Sequence, residues 1–210
     1  GRVVTNGRSQ YSRNERNANA GIVVGITPED FPTDAATFAA TLGTVNTAKS
    51  AAQAVHPLAG IVLQRTLESN AYLLGGSTYE APGQLVGDFV KARASTALGS
   101  VEPSYKPGVK MGDLAAALPS YAIEAIREAI PAFGKKIKGF DLPDAVLTGV
   151  ETRTSSPLKI TRGEDFQSLN VRGLFPAGEG ASYAGGILSA GVDGIKVAEA
   201  VALSLLGNKD

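Results

Sequence analysis

The stretch "GLFPAGEGASYAGGILSAGVDGIKVAEA", residues 173–200, crowds glycines around one glutamate and then runs into a helix-forming sequence. Glycine loses more conformational freedom on folding than any other residue, so this density is costly unless the backbone must turn sharply or come close to something. Leu174 and Phe175 read as a short buried strand, which Pro176 ends because it has no N–H for a sheet ladder. Gly178 and Glu179 then stand at the strand's carboxyl end. Ile187, Gly191, Ile195, Ala198 and Val201 follow helical spacing, which predicts a helix with those residues inward and Asp193, Lys196 and Glu199 toward water. Gly186, Ala190 and Gly194 recur every four residues, a nearly bare stripe that something must press against.

A helix start offers unpaired N–H groups and the positive end of the helix dipole, and glycines there let an electron-rich ligand come within hydrogen-bond reach. In open α/β sheets ligands settle beyond the carboxyl ends of strands, where this reading puts Glu179. Strand, acidic residue, glycine turn and helix together describe a cofactor seat. A helix packed tightly on a sheet, with an acidic cap, gives the same pattern, and spacing alone does not separate the two. The pattern departs from the phosphate fingerprint G-x-G-x-x-G, since Tyr183 stands where a third glycine would follow Gly178 and Gly180.

The rest of the chain sets bounds on function. Of 210 residues, 43% are hydrophobic and 19% charged, a globular composition with length for one large domain or two small ones. The 20 basic residues cancel the 20 acidic ones, which argues against a general polyanion binder. Arg2, Arg8, Arg13 and Arg16 gather near the start, but Asn and Ser fill the spaces between them instead of stacking aromatics, so they read as a solvated face and not as a nucleic-acid surface. The absence of cysteine excludes disulfides, thiolate metal ligands and a cysteine nucleophile. Apolar runs break well before the roughly 20 residues of a membrane span, and no signal peptide opens the sequence, so no membrane association and a cytoplasmic location are expected. Gly1 in place of methionine, in what reads as mid-strand, suggests a fragment of a longer protein.

"RVVTNG" and "AGIVVGITPED" predict two strands joined by a polar connection over residues 8–19, so that a sheet opens the chain. Residues 33–74 turn alanine-rich and helical, with Leu58, Ile61, Val62, Leu67 and Leu73 or Leu74 along a helix that a glycine pair stops. Residues 77–83 read as a loop before a short helix or strand near residues 85–90. Asp113 is a candidate N-cap for "LAAAL". In "SYAIEAIREAI", Ile123, Ile126 and Ile130 share one helical face, opposite Glu124, Arg127 and Glu128, and Pro131 and Gly134 end the helix. "DAVLTGVETRTSSPLKI" reads as strand, loop, strand. The fold class is mixed α/β (α+β).

The segment "ETRTSSPLKITRGEDFQSLNVRGLFPAGEGASYAGGILSAGVDGIKVAEAVA" resembles the C-terminal end of bacterial FAD-dependent dehydrogenases similar to the glutathione-reductase-like, two-dinucleotide-fold flavoproteins. "HPLAGIVLQR", "YEAPGQLVGDF" and "LPSYAIEAIREAIPAFGKKIKGFD" are similar to further stretches of that family, so the likeness spans most of the chain. The resemblance implies an inserted substrate or cap domain over residues 1–149 and, over residues 150–210, the C-terminal part of a Rossmann-like FAD-binding domain with its last strand and helix. It implies that Gly178 and Glu179 meet the ribityl chain, with Glu179 accepting a hydrogen bond there. Gly185, Gly186 and Ile187 would supply the helix start at the pyrimidine edge of the isoalloxazine. The implied activity is flavin-dependent oxidoreduction on a small-molecule substrate, hydride passing through FAD, with NAD(P) as a candidate electron partner. The family's N-terminal G-x-G-x-x-G unit is absent from this sequence, so a missing N-terminal FAD-binding segment is the expected partner. The piece alone is expected to be inactive and to retain little FAD. The rival reading is a non-enzymatic binding or assembly module without a cofactor.

Arg153, Thr154, Ser155 and Ser156 form a polar loop before Pro157 that could hold the cofactor or an anionic substrate, or simply make a hydrogen-bonded turn. His56, the only histidine, precedes Pro57 at a helix start, where capping is the expected role; no metal site can be built around it. Asn6, Arg8, Tyr11 and Arg13 could approach a substrate or form a surface connection. Ser12, Ser155 and Ser156 lack a G-x-S-x-G elbow, and the neighbouring carboxylates Glu29 with Asp30 and Glu164 with Asp165 do not make a glycosidase dyad. No catalytic residue is assigned.

Overall fold

The central strand of the sheet has the sequence A-P-G-Q-L, without one β-branched residue. This strand, β1 (Ala81–Leu85), pairs in parallel with β2 (Val109–Met111) and antiparallel with β3 (Val146–Thr148). Residues 77–83, expected as a loop, therefore run into its first half. Pro82 has no N–H to donate, but its carbonyl accepts the N–H of Gly149 at 3.0 Å. At Gly83 a Cβ would lie 2.2 Å from Val109 Cγ1, so the strands approach closely only because that side chain is missing. Propensity is overruled by burial, since Ala81 through Gln84 are all buried.

These features come from a computed structural model that describes residues 1–7, 11–43 and 56–207. The described chain is α+β; besides the strands it contains helices α1 (Ala35–Leu42), α2 (Ala59–Leu74), α3 (Val86–Val90), α4 (Ser120–Lys136) and α5 (Ile187–Gly207). Two units divide it: Gly1–Val45 with Val62–Thr152, and Asn46–Ile61 with Arg153–Asp210.

In the first unit α4 follows its pattern. Ile123, Ile126 and Ile130 are buried together with Val3, Val86, Phe89, Leu114 and Val150, while Glu124 and Glu128 face water. Arg127 is half-buried instead, its guanidinium 5.1 Å from the Phe89 ring centre and its Nε donating to the Phe89 carbonyl at 2.9 Å. Pro131 does not end the helix, as the sequence predicts, but lies inside it. A proline removes one i→i−4 bond, and the buried Ile126 and Ile130 before it, with Phe133 packed on Phe140 after it, hold the remaining turns together.

Helix starts and stops largely follow local chemistry. Asp34 caps α1 by accepting the Thr37 N–H at 2.8 Å, and Asp113 caps a 3-10 turn, Leu114–Ala116, through the Ala115 N–H at 2.9 Å. Ahead of α2, His56 Nδ1 accepts the Leu58 N–H at 3.1 Å and its carbonyl accepts that of Ala59 at 2.9 Å. Gly75 and Gly76 close α2 with N–H bonds to the carbonyls of Ala71 and Leu73. Residues 44–55, part of the expected helical region, lie outside the described residues.

The opening strands are not formed. Residues 1–7 and 21–27 are extended but join no ladder. Val3 and Thr5 are buried, and their N–H groups bond the carbonyls of Glu68 on α2 and of Val150. Alternating β-branched residues favour an extended backbone with one buried face; a ladder also needs a neighbouring strand edge, which the packing does not provide here. Likewise the second strand of "DAVLTGVETRTSSPLKI" is not formed; an isolated bridge between Arg162 and Ser168 follows just beyond it.

Candidate functional site

The glycine stretch forms a tight turn leading into α5. Gly178 sits at φ +65°, a left-handed conformation that favours glycine, and a Cβ there would also touch Ala190 Cβ at 3.7 Å. Of the small-residue stripe of α5 the Gly178 turn thus meets Ala190, while an added Cβ at Gly194 would meet nothing within 4 Å. Glu179–Ala181 is a short 3-10 turn, closed by Ser182 at φ +65°. The Ser182 N–H returns to the Glu179 carbonyl and the Tyr183 N–H to the Gly178 carbonyl, both at 3.0 Å.

A partly buried ion pair underlies this turn. Arg162 grips Asp193 with both ends of its guanidinium, Nη1 to Oδ2 at 2.9 Å and Nη2 to Oδ1 at 2.5 Å, and Nη1 also donates to the Pro176 carbonyl at 2.7 Å. The Gly178 N–H donates to Asp193 Oδ2 at 2.8 Å. The guanidinium lies 3.8 Å from the Tyr183 ring centre and 4.6 Å from that of Phe166, and the Arg162 N–H donates to the Tyr183 hydroxyl at 2.9 Å. Tyr183, the residue that breaks the phosphate fingerprint, serves as the platform for this arginine.

The side chains of Arg162 and Asp193 are only 9% and 12% exposed. Asp193 was expected to face water and instead turns inward. Its spacing with Val197, the buried residue of α5, puts both on the face that the preceding loop covers. The expected inward residues are turned out: Ile187 is 85% exposed and Ile195 64%. Leu174 and Phe175, expected as a buried strand, pair with no strand among the described residues, and Leu174 is exposed. Their backbone is instead in a local turn, the Ser168 N–H donating to the Leu174 carbonyl.

The Arg162 contact holds the Asp193 carboxyl down at about 2, aided by the Gly178 N–H. A carboxylate whose pKa is depressed by folding stabilises the fold above its unfolded value, near 4, and that contribution is lost as pH falls toward 2. The effect is on the order of 2 kcal/mol. Thermal unfolding across pH 2–5 is expected to show a steeper acid loss for the wild-type chain than for Asp193→Asn; equal slopes would refute it.

The other candidate residues distribute as follows. Glu179 is exposed on its turn, and added Cβ atoms at Gly180 and Gly185 would meet nothing within 4 Å. The Gly186 N–H donates to Ser189 Oγ at 3.1 Å, half of a capping exchange, and the first intrahelical bond of α5 runs from Ala190 to Gly186 at 2.9 Å. The N–H groups of Ile187, Leu188 and Ser189 precede that bond and have no acceptor within the helix. Ser156 lies against the same turn, its hydroxyl within donating distance of the Leu158 carbonyl at 2.8 Å and the Gly180 carbonyl at 3.1 Å, which share its one proton, whereas Arg153, Thr154 and Ser155 are exposed. Asn6, Tyr11 and Arg13 are exposed in the first unit, Arg16 pairs with Glu102 at 3.0 Å, and Arg8 lies outside the described residues.

The chemistry of this arrangement fits a flavin edge and its sugar-alcohol chain. An accessible carboxylate accepts hydrogen bonds, an uncovered helix start donates them, and no side chain overlies Gly180 or Gly185 between them. A phosphate cradle is not among these features. An open groove of about 730 Å³ beside the C-terminal half of α5, lined by Phe166, Phe175, Lys196 and Leu203 among others, includes neither Glu179 nor the helix start. Among the described residues no cluster of three or more metal-ligating side chains occurs, and no helix is long and apolar enough to cross a membrane.

Comparison with known proteins adds two findings. Residues 1–154 match the family model described as FAD-dependent protein, C-terminal domain-like. An uncharacterized protein of Clostridium beijerinckii is 49% identical over 199 residues, which is 95% of this chain and 33% of that protein. The chain thus spans about a third of the length of the curated relative it matches, and the similarity extends well past residue 154.

Proposed function

The chain belongs to the FAD-dependent protein, C-terminal domain-like, family, and from that premise we propose that it is the C-terminal portion of a flavin-dependent dehydrogenase of the glutathione-reductase-like kind. The family match over residues 1–154 is the observation that carries this reading. In it, residues 1–149 are a substrate or cap domain for a small molecule, and residues 150–210 complete a Rossmann-like FAD-binding domain. The pyrophosphate site belongs to an N-terminal segment of the longer protein, which also covers the exposed row Ile187, Val192 and Ile195 of α5. NAD(P) is the electron partner in this proposal.

When bound, FAD supplies a ring that takes hydride at N5 and gains negative charge near N1 and the C2 carbonyl. Glu179 accepts a hydrogen bond from the ribityl chain, with Gly178 providing the turn that presents it. The first turn of α5, entered through Gly185, Gly186 and Ile187, places N–H donors and the positive helix end where that charge develops. Ser156 bonds the same turn, and the exposed Arg153, Thr154 and Ser155 before it meet cofactor or substrate. These residues tune hydride acceptance through orientation and electrostatics; none of them carries the hydride.

The full-length protein is expected to be yellow. Glu179→Ala, which removes a charge-assisted hydrogen bond, should weaken FAD binding about tenfold to a hundredfold, and Gly186→Val should weaken it by crowding the helix start. The 210 residues alone should retain little FAD; a stoichiometric flavin with them would contradict the division of the site. A colourless full-length protein that rejects added FAD would favour the second reading, a non-enzymatic assembly module, for which the exposed apolar row of α5 is the supporting observation.

A further inference from the structure

Glu179 makes a useful ribityl contact only if its turn is held in register with the start of α5, because the two meet neighbouring, covalently joined parts of one ligand. Tolerances for such constellations are about 0.5 Å. Both ends of the turn lie at positive φ, glycine's own territory at Gly178 but a disfavoured conformation at Ser182, so the turn needs support from outside itself. Its internal bonds, Ser182 to Glu179 and Tyr183 to Gly178, close the turn on itself and do not tie it to the helix.

One side chain makes that tie. Asp193 stands two turns into α5, and helical side chains lean toward the N-terminus, which brings its carboxylate back to the turn. Oδ2 receives the Gly178 N–H at 2.8 Å, directly before Glu179, and Oδ1 and Oδ2 receive Arg162, which itself holds the Pro176 carbonyl. Arg162 is clamped in turn by the rings of Tyr183 and Phe166. The chain on either side of Ala177 is therefore anchored, directly or through Arg162, to one carboxylate on the helix.

We propose that Asp193 is a positioning residue of the flavin site, setting the Glu179 turn against the start of α5 without touching the cofactor. The inference rests on the flavin reading above. It assigns a role to a side chain whose helical position had marked it as solvent-facing. The low pKa of Asp193 accords with a carboxylate kept charged for this task.

The test is FAD affinity of the full-length protein, followed by flavin fluorescence, together with a double-mutant cycle. Asp193→Ala should weaken FAD about tenfold or more, and Asp193→Asn, which keeps an acceptor for the Gly178 N–H, should weaken it less. Asp193→Ala combined with Glu179→Ala should be within about twofold of the weaker single variant, because Asp193 acts through the Glu179 turn. A merely structural role would lower the unfolding temperature while the two effects on affinity multiplied. If Asp193→Ala does not fold, the same cycle with Asp193→Asn decides the matter. If Glu179→Ala and Gly186→Val both leave FAD affinity unchanged, the site reading fails and this inference with it. If they weaken binding while the Asp193 variants do not, or while the effects simply multiply, only the positioning role is overturned.

Discussion

Replacing Arg162 with methionine is expected to destabilise the second unit by about 2–3 kcal/mol, the scale of losing hydrogen bonds to a charged group that is partly withdrawn from water. The arginine bonds both oxygens of Asp193 and the carbonyl of Pro176 while filling the space between two aromatic rings. Methionine preserves much of the packing but leaves a carboxylate that is 12% exposed with the Gly178 N–H as its remaining bond in this network. Amide hydrogen exchange reads the result: protection at Gly178 and along α5 should fall steeply, while α4 keeps its own. Arg162→Lys should recover little, since an ammonium can neither fork onto both oxygens nor stack as a plane. Arg162→Met with Asp193→Asn should recover part of the loss by discharging the orphan. Unchanged protection in Arg162→Met would show that the pair contributes nothing.

The second large effect is expected at Gln84, in the middle of the first unit. Gln84 is fully buried on β1; its Nε2 donates to the Arg93 carbonyl at 2.7 Å and its Oε1 accepts the Leu114 N–H at 2.8 Å. One amide thus fastens both ends of the segment between α3 and the 3-10 turn at Leu114. Leucine is similar in size and leaves both backbone groups without this partner, each costing about 1–3 kcal/mol. A loss of about 2–5 kcal/mol is expected in urea unfolding. Gln84→Glu keeps the acceptor but loses the donor and buries a charge, so it should not rescue. A loss below about 1 kcal/mol would mean that water or a shifted backbone replaces the amide readily.

The candidate site was readable in part. Glycines flanking an acidic residue ahead of a helical run identify a turn at a helix start by residue type alone, and Gly178, Glu179 and the entry to α5 occupy such a turn. Arg162 was not singled out. Nothing in "KITRGED" distinguishes it from a surface arginine, and its partner lies 31 residues away. The only available hint was Asp193, a charge among small and apolar residues, and helical periodicity assigned that to water.

What the sequence determined by itself is what acts over a few residues. It determined the cap Asp113, the glycine stop after α2, the apolar face of α4 and the existence of α5, because capping bonds, left-handed turns and helical periodicity are properties of neighbours along the chain. Only the tertiary structure decided that A-P-G-Q-L is the middle of a sheet, that the β-branched opening pairs with no strand, and that Asp193 turns inward to Arg162. A hydrogen-bonded ladder and a partly buried ion pair each need a partner brought from far along the chain. A residue's own type records how it can bond, whereas the packing of distant segments settles what it bonds.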